Sequence, residues 1–219
     1  SRKNRGTVQM QSSQVLYNQG GGCFHPDCLV TTASGTTYPV SKIKKGDLLR
    51  TPNGTARVIC VTQIIQPPEK ISMCNLGNNT LITPYHPIIH GGRWVFPKDY
   101  YPIQDVEIDR VYNFVLDRHH QIYINGIQTV TFGHNLTGSV IEHPFFGTNK
   151  IIKDLEKLSG YDQGEVILYW SYFKRNAKTN LIEKIEKNNQ WFHRLRDIMT
   201  RYNGFHDENI EQLYLLSYL

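Results

Sequence analysis

Asp47-Leu48-Leu49-Arg50-Thr51-Pro52-Asn53-Gly54-Thr55-Ala56-Arg57-Val58-Ile59-Cys60-Val61-Thr62-Gln63-Ile64-Ile65 is the stretch that decides the fold class. Asn-Gly suits the tight turn of a hairpin, because both residues tolerate positive φ. Here it joins the run 47–51 to the run 55–65. The second run is rich in β-branched side chains, which crowd a helix and fit a pleated strand. The pattern repeats outward. Leu29-Val30-Thr31-Thr32 and Thr36-Thr37-Tyr38 flank the turn Ala33-Ser34-Gly35, and Asn125-Gly126 separates 121–124 from 128–132. Further strands are expected at 71–76, 80–83, 94–96 and 111–116. Many short strands with frequent turn signals argue for an all-β unit.

The flanks differ. Residues 1–22 are polar and end in Gly20-Gly21-Gly22, a flexible lead-in with room for a short strand at 15–17. Residues 149–158 read as a helix and 165–173 as a strand. Trp191, Leu195, Ile198, Met199 and Tyr202 recur at helical spacing, with Gly204 placed to stop the helix, and Ile210, Leu213 and Leu216 suggest a last one. The expected division is therefore a flanking segment 1–22, a β domain 23–135, and a mostly helical extension 136–219. The whole is mainly β, and α+β once the extension is counted.

Charge and composition narrow the function. The 219 residues carry a net charge of +5, and residues 1–22 hold three basic and no acidic side chains. The remainder is nearly balanced, so no basic face for nucleic acid is implied. No apolar run approaches the ~20 residues of a membrane span. The polar start Ser1-Arg2-Lys3-Asn4-Arg5 reads as neither a signal peptide nor a natural beginning, so a longer precursor is expected. Four cysteines are too few for a disulfide scaffold, and reduced thiols point to an intracellular, cytoplasmic setting. The Asn-x-Thr triplets at 53, 78 and 135 matter only in a secreted protein. No second Cys-x-x-Cys pair accompanies Cys23, His25 and Cys28, or His86 and His90, so no metal and no cofactor are expected.

Four places in the β domain could carry chemistry. Cys23 follows Gly22, whose carbonyl is unhindered, and a thiolate can attack that carbonyl through a five-membered ring to give a thioester. Thr83-Pro84-Tyr85-His86 puts a hydroxyl donor and an imidazole across a turn, where both can address one peptide bond. His120 lies just upstream of the Asn125-Gly126 turn. Gly133-His134-Asn135 offers a side-chain amide that can attack its own carbonyl, beside an imidazole. Each has a plain structural reading when taken singly, and a lone Cys is most often a small buried hydrophobe.

Taken in order, these motifs resemble the Hint superfamily of Hedgehog C-terminal and intein autoprocessing domains. Cys23-Phe24-His25-Pro26-Asp27-Cys28-Leu29-Val30 looks like its opening block, and Lys45-Gly46-Asp47-Leu48-Leu49 like its Gly-Asp turn. Thr83-x-x-His86, Val111–Ile127 with His120, and His134-Asn135 match the later blocks. His143-Pro144-Phe145-Phe146-Gly147-Thr148 and Gly160-Tyr161-Asp162 look like the Vint branch, found after von Willebrand factor type A domains. The resemblance implies a horseshoe of long bent strands that brings Cys23 and Asn135 close together. It implies Cys23 as nucleophile, Thr83 and His86 as activators of the Gly22–Cys23 amide, His120 and His134 as assistants at the C-terminal side, and Asn135 as the cyclising residue. Asp27, Cys28, Asp47 and Asn113 would support them.

Departures from the pattern shape the expected activity. Residue 136 is Leu, which has no nucleophile to receive an acyl group, so splicing is disfavoured. Asn113 stands where the family often has Asp or Cys and cannot act as a base. Gln63 stands near the place of the sterol-activating Asp of the Hedgehog branch, which speaks against sterol transfer. The expected reaction is cleavage at Gly22–Cys23 by an N-to-S acyl shift. The thioester is then opened by water, a thiol or an amine, with the upstream polypeptide as substrate. A regulatory ligand or partner could gate it. The alternatives are a degenerate Hint fold used as an interaction module, and a thiol protease acting in trans with Cys23, His86 and Asn135. The latter lacks the helix N-terminus that activates such thiolates.

Overall fold

The computed structural model describes residues 22–65 and 70–187. The strand at 15–17 and the helices expected at 191–202 and 210–216 lie outside the described residues. Three antiparallel units and one mixed unit build the β body. In the first, strands run in the order β2 (Thr37–Pro39), β1 (Leu29–Thr31), β11 (Gln121–Ile124), β12 (Ile127–Val130), β7 (Ile88–His90), β8 (Arg93–Val95). The second is the mixed unit, centred on the 12-residue β4 (Gly54–Ile65). It carries β3 (Leu48–Thr51) on its first half and β10 (Arg110–Leu116) on its second, with β13 (Glu165–Tyr169) beside it. A third joins β6 (Leu81–Ile82), β5 (Ile71–Asn75) and β9 (Ile103–Val106), and β14 (Phe173–Arg175) pairs with β15 (Ile182–Ile185).

The two Asn-Gly dipeptides resolve differently. Asn125 and Gly126 both take positive φ, +48° and +80°, and Ile124 pairs with Ile127 across the two-residue loop. At the other turn Thr51 pairs with Gly54, so Pro52 and Asn53 are the corner. Proline presets the φ of a first corner residue, and Gly54 takes the positive φ of +122° that follows.

A bulge in β4 separates two cores. Val115 pairs with Cys60 but Leu116 pairs with Val58, so Ile59 is the unpaired extra residue. Before the bulge Ala56 and Val58 enter a core with Phe24, Val30, Phe114 and Ile122. After it Cys60 and Ile64 enter a second core with Cys23, Val111, Val115 and Phe132. One added residue inverts the period-two alternation, and a single long strand thereby serves both cores.

Residues 136–187, expected as part of a mostly helical extension, hold more strand than α-helix and are packed into the body rather than appended to it. They hold the helix α1 (Asn149–Leu155), capped by the Thr148 hydroxyl, together with β13, β14 and β15. β13 pairs parallel to β4 from Glu165 opposite Val61 to Tyr169 opposite Ile65. Val166 and Leu168 on one face of β13, Ile151 and Leu155 of α1, and Phe145 and Phe146 all enter the core that contains Cys23. The boundary expected at residue 135 is thus not a boundary of packing. Among the described residues, the buried apolar side chains of 145–182 enter the core of Cys23 rather than one of their own.

Candidate active site

Gly22 and Cys23 enter the body between two strands. Phe24 bridges Ile82 on one side and Tyr112 on the other, with backbone bonds to Tyr112 of 2.9 and 3.0 Å. This fixes the preceding peptide. Cys23 is 1% exposed. Its N–H donates to Thr83 Oγ1 at 2.8 Å, and its carbonyl accepts from the Thr83 N–H at 3.0 Å and hydroxyl at 3.3 Å. Thr83 follows β6, so the strand that pairs with β5 also delivers this hydroxyl.

His86 closes the same turn, its N–H bonded to the Thr83 carbonyl at 3.0 Å. Its Nε2 lies 2.8 Å from the Val130 carbonyl. A carbonyl only accepts, so Nε2 carries the ring proton and Nδ1 presents a lone pair. Nδ1 is buried and makes no hydrogen bond. The ring meets Phe24 at 4.4 Å between centroids, tilted by 35°, and lies close against Gly22, where an added Cβ would fall 1.8 Å from His86 Cγ. Burial pushes the His86 pKa down to about 4. The Val130 and Cys23 backbone groups oppose this, and His134 adds a smaller downward push. At neutral pH the ring is therefore an uncharged base.

The Gly22 carbonyl is held by a residue expected only to support. Asn113 Nδ2 donates to Gly22 O at 2.6 Å. Thr83 was the expected donor to the reacting carbonyl. Its hydroxyl instead addresses the Cys23 N–H and the Cys23 carbonyl, because the turn after β6 reaches the far side of that peptide. Only the side-chain amide type at position 113 hinted at a donor.

The C-terminal motif lies on the same core. Phe132 packs in the cluster of Cys23, and the influence of His134 on His86 reflects their nearness. His134 Nδ1 accepts the Leu136 N–H at 3.0 Å, and its buried Nε2 has no partner. Burial takes its pKa down to about 4, with a further push from His120. Asn135 is exposed and adopts φ +55°, and its Nδ2 donates to the Gly133 carbonyl at 3.1 Å. His120, at φ +46°, has a buried, unpartnered Nδ1 and a pKa lowered by burial.

Residues 143–147 clamp this segment. Gly133 N–H bonds Phe146 O at 2.9 Å and Asn135 N–H bonds Gly147 O at 2.7 Å. His143 Nδ1 accepts from the Phe145 and Phe146 N–H groups at 3.1 and 3.0 Å, and burial brings its pKa to about 4. A Cβ on Gly147 would sit 2.8 Å from His143 O and 3.1 Å from His134 Cε1. Neither His143 nor Gly147 was expected at the site; the only signal was the aromatic-rich block in which they stand.

The other expected supports lie elsewhere. Asp27 points to solvent with its side chain 78% exposed. The Cys28 thiol donates to Leu81 O at 3.1 Å, and burial raises its pKa to about 11, so it is a packed structural thiol. The Asp47 carboxylate accepts the Lys44 N–H at 2.9 Å and its carbonyl the Val58 N–H at 2.9 Å, which builds the turn before β3. Gln63 pairs across from Tyr112, on the face opposite Asn113, and bonds to Arg110 at 2.8 Å and to Glu165. Among the described residues no three His, Cys, Asp or Glu side chains gather as a metal site requires.

The Vint family model, described as a Hint-domain, matches residues 22–184, more than half of the chain. The chain belongs to the Vint family of Hint domains. Among solved structures this Vint domain is similar to the gp41-1 intein at 17% identity and a TM-score of 0.41, over 51% of this chain and 100% of that one. A DnaB intein from Synechocystis sp. matches at 15% identity and a TM-score of 0.38, over 51% and 99%. A bacterial intein-like domain from Clostridium thermocellum matches at 17% identity and a TM-score of 0.40, over 50% and 97%. No curated protein matches the chain. Membership in a Hint family supports an autoprocessing type of function in general terms. Among the described residues no helix is long and apolar enough to cross a membrane.

Proposed function

We propose that this Vint domain cuts its own chain at Gly22–Cys23 through an N-to-S acyl shift, followed by opening of the thioester by water, a thiol or an amine. The observation that carries this is the pair of contacts on one peptide link. The Cys23 N–H sits on Thr83 Oγ1 at 2.8 Å, while the His86 ring lies against Gly22 with its Nδ1 unpartnered. Neutral Nδ1 takes the Cys23 thiol proton and later gives it to the departing Cys23 nitrogen, so one imidazole serves as base and then acid. The Thr83 hydroxyl on the Cys23 N–H holds the scissile peptide in place beside the imidazole. The substrate is the polypeptide upstream of Cys23, for which the Vint branch suggests a von Willebrand factor type A domain. Splicing is absent from the proposal because Leu136 offers no nucleophile.

The burial of Cys23 at 1% exposure, in a core shared with Phe145 and Phe146, supports a conditional reaction. A partner or ligand that loosens this cover would admit the nucleophile that opens the thioester. The test is intact mass over time with hydroxylamine or an added thiol, on the full chain and on Cys23→Ala. Appearance of residues 23–219 from the parent alone supports the reading. A parent chain that stays whole under every condition overturns it and leaves an interaction module.

A further inference from the structure

We infer that Asn113 is a catalytic residue, its side-chain amide holding the Gly22 oxygen as negative charge builds there during attack by Cys23. The inference rests on the proposed cleavage at Gly22–Cys23 and adds the group that stabilises its intermediate.

The amide is aimed and cannot turn. Asn113 Oδ1 accepts the Phe114 N–H at 2.7 Å, which leaves the NH2 group facing Gly22 O at 2.6 Å. The backbone beneath it is fixed as well. Asn113 lies in mid-β10 opposite Thr62 of β4, and its carbonyl accepts the Thr62 hydroxyl at 2.9 Å. Asn113 is 2% exposed, and Val111 and Val115 flank it on the same face of the strand. A fixed donor with little water around it needs no reorganisation when an oxyanion forms, which is where such donors contribute most.

The step balances. Cys23 Sγ bonds to the Gly22 carbonyl carbon, and its proton passes to His86 Nδ1. The π electrons of the carbonyl move onto the oxygen held by Asn113. When the intermediate collapses the C–N bond breaks, and the Cys23 nitrogen takes the proton back from His86. Asn113 exchanges no proton throughout. An amide donates at every pH, whereas a carboxylate in its place would repel the oxyanion.

A purely anchoring role would tie Gly22 down equally in the resting chain and the intermediate, and would leave the pH profile unchanged. The full chain, Asn113→Ala and Asn113→Asp are therefore followed by intact mass with hydroxylamine from pH 5 to 9. Asn113→Ala should be slowed about 10²–10³-fold. Asn113→Asp should be slow at pH 8 and gain rate relative to the parent as pH falls, because a protonated carboxyl regains a donor. Parent-like rates in both variants, or a parent-like pH profile in Asn113→Asp, overturn the inference while the cleavage reading stands. A parent chain that is never cut removes both. A readout independent of variant folding is the Gly22 carbonyl carbon resonance in the intact Cys23→Ala chain. It should lie downfield of the random-coil glycine value, and a shift equal to that value overturns the inference even if neither position-113 variant folds.

Discussion

At the scale of single residues, the site is built on what Gly22 lacks. A methyl group there would overlap the His86 ring, 1.8 Å from Cγ. Gly22→Ala should push the ring or the upstream peptide aside and slow cleavage about 100-fold, since misplacement of that order is costly in positioned reactions. Gly21→Ala, the preceding position in the sequence, serves as the comparison, and equal rates in the two variants would refute the close approach. Thr83 makes a second prediction. Thr83→Ser keeps the hydroxyl on the Cys23 N–H and should cleave like the parent. Thr83→Ala removes the hydroxyl that bonds the Cys23 N–H and carbonyl, at about 0.5–1.5 kcal/mol per hydrogen bond, and should lower both the urea midpoint and the rate. That Cys23, Thr83 and His86 meet at one peptide link was legible in the sequence through motifs that, taken in order, resemble the Hint blocks. The direct contact of Asn113 was not. It depends on which face of β10 meets Gly22, and the bulge at Ile59 decides which face of the neighbouring β4 shares that core.

Elements carry the next lesson. The reading of residues 23–135 as short strands and turns holds well, because alternation and turn residues are local signals. Ile88–His90 and Ile103–Val106 escaped it, being brief, even though Gly91-Gly92 marks the turn after the first, as did β14 and β15. The parallel pairing of β13 with β4 was illegible for a different reason. The expected strand at 165–173 is there in its first five residues, yet nothing in a strand names a partner a hundred residues away. That pairing leads to a prediction about truncation. A chain ending at residue 135 exposes the core faces of Cys60, Ile64 and Val111 that Phe145, Phe146, Val166 and Leu168 cover. It should be insoluble or bind a hydrophobic dye, while a chain ending at residue 187 should unfold cooperatively. A soluble, cooperatively folding 1–135 chain would refute this. The clamp at 143–147 bears on the second motif in the same way. Asn135 Nδ2 is occupied by the Gly133 carbonyl, and His134 turns a lone pair, not a proton, toward the Leu136 nitrogen. The Asn135–Leu136 bond should accordingly survive conditions that cut Gly22–Cys23, with no free 136–219 fragment in the mass spectrum.

Over the whole molecule, the junction of the β body with the region after residue 135 gathers imidazoles that must stay uncharged. His86 comes from the turn before β7, His134 from the segment after β12, and His143 from the clamp. Burial brings each to about 4, and His134 presses on both His86 and His143. All three are lowered below their ordinary value, so the unfolded chain binds more protons between pH 6.5 and 4. Stability then rises with pH across that window. It is fully present above pH 6.5 and is lost as pH falls toward 4. Each unit of displacement corresponds to about 1.4 kcal/mol, so three histidines acting together make the limb steep. His25 and His120, also lowered by burial, act in the same direction. Urea unfolding of Cys23→Ala, which keeps the chain whole, should give a midpoint that falls sharply from pH 7 to pH 5. His143→Phe removes one of these groups and leaves the Phe145 and Phe146 N–H groups without their acceptor, so it should start from a lower midpoint with a shallower pH slope. A midpoint independent of pH across that window would mean that the rings are solvated, and the dry enclosure around Cys23 would fall with them.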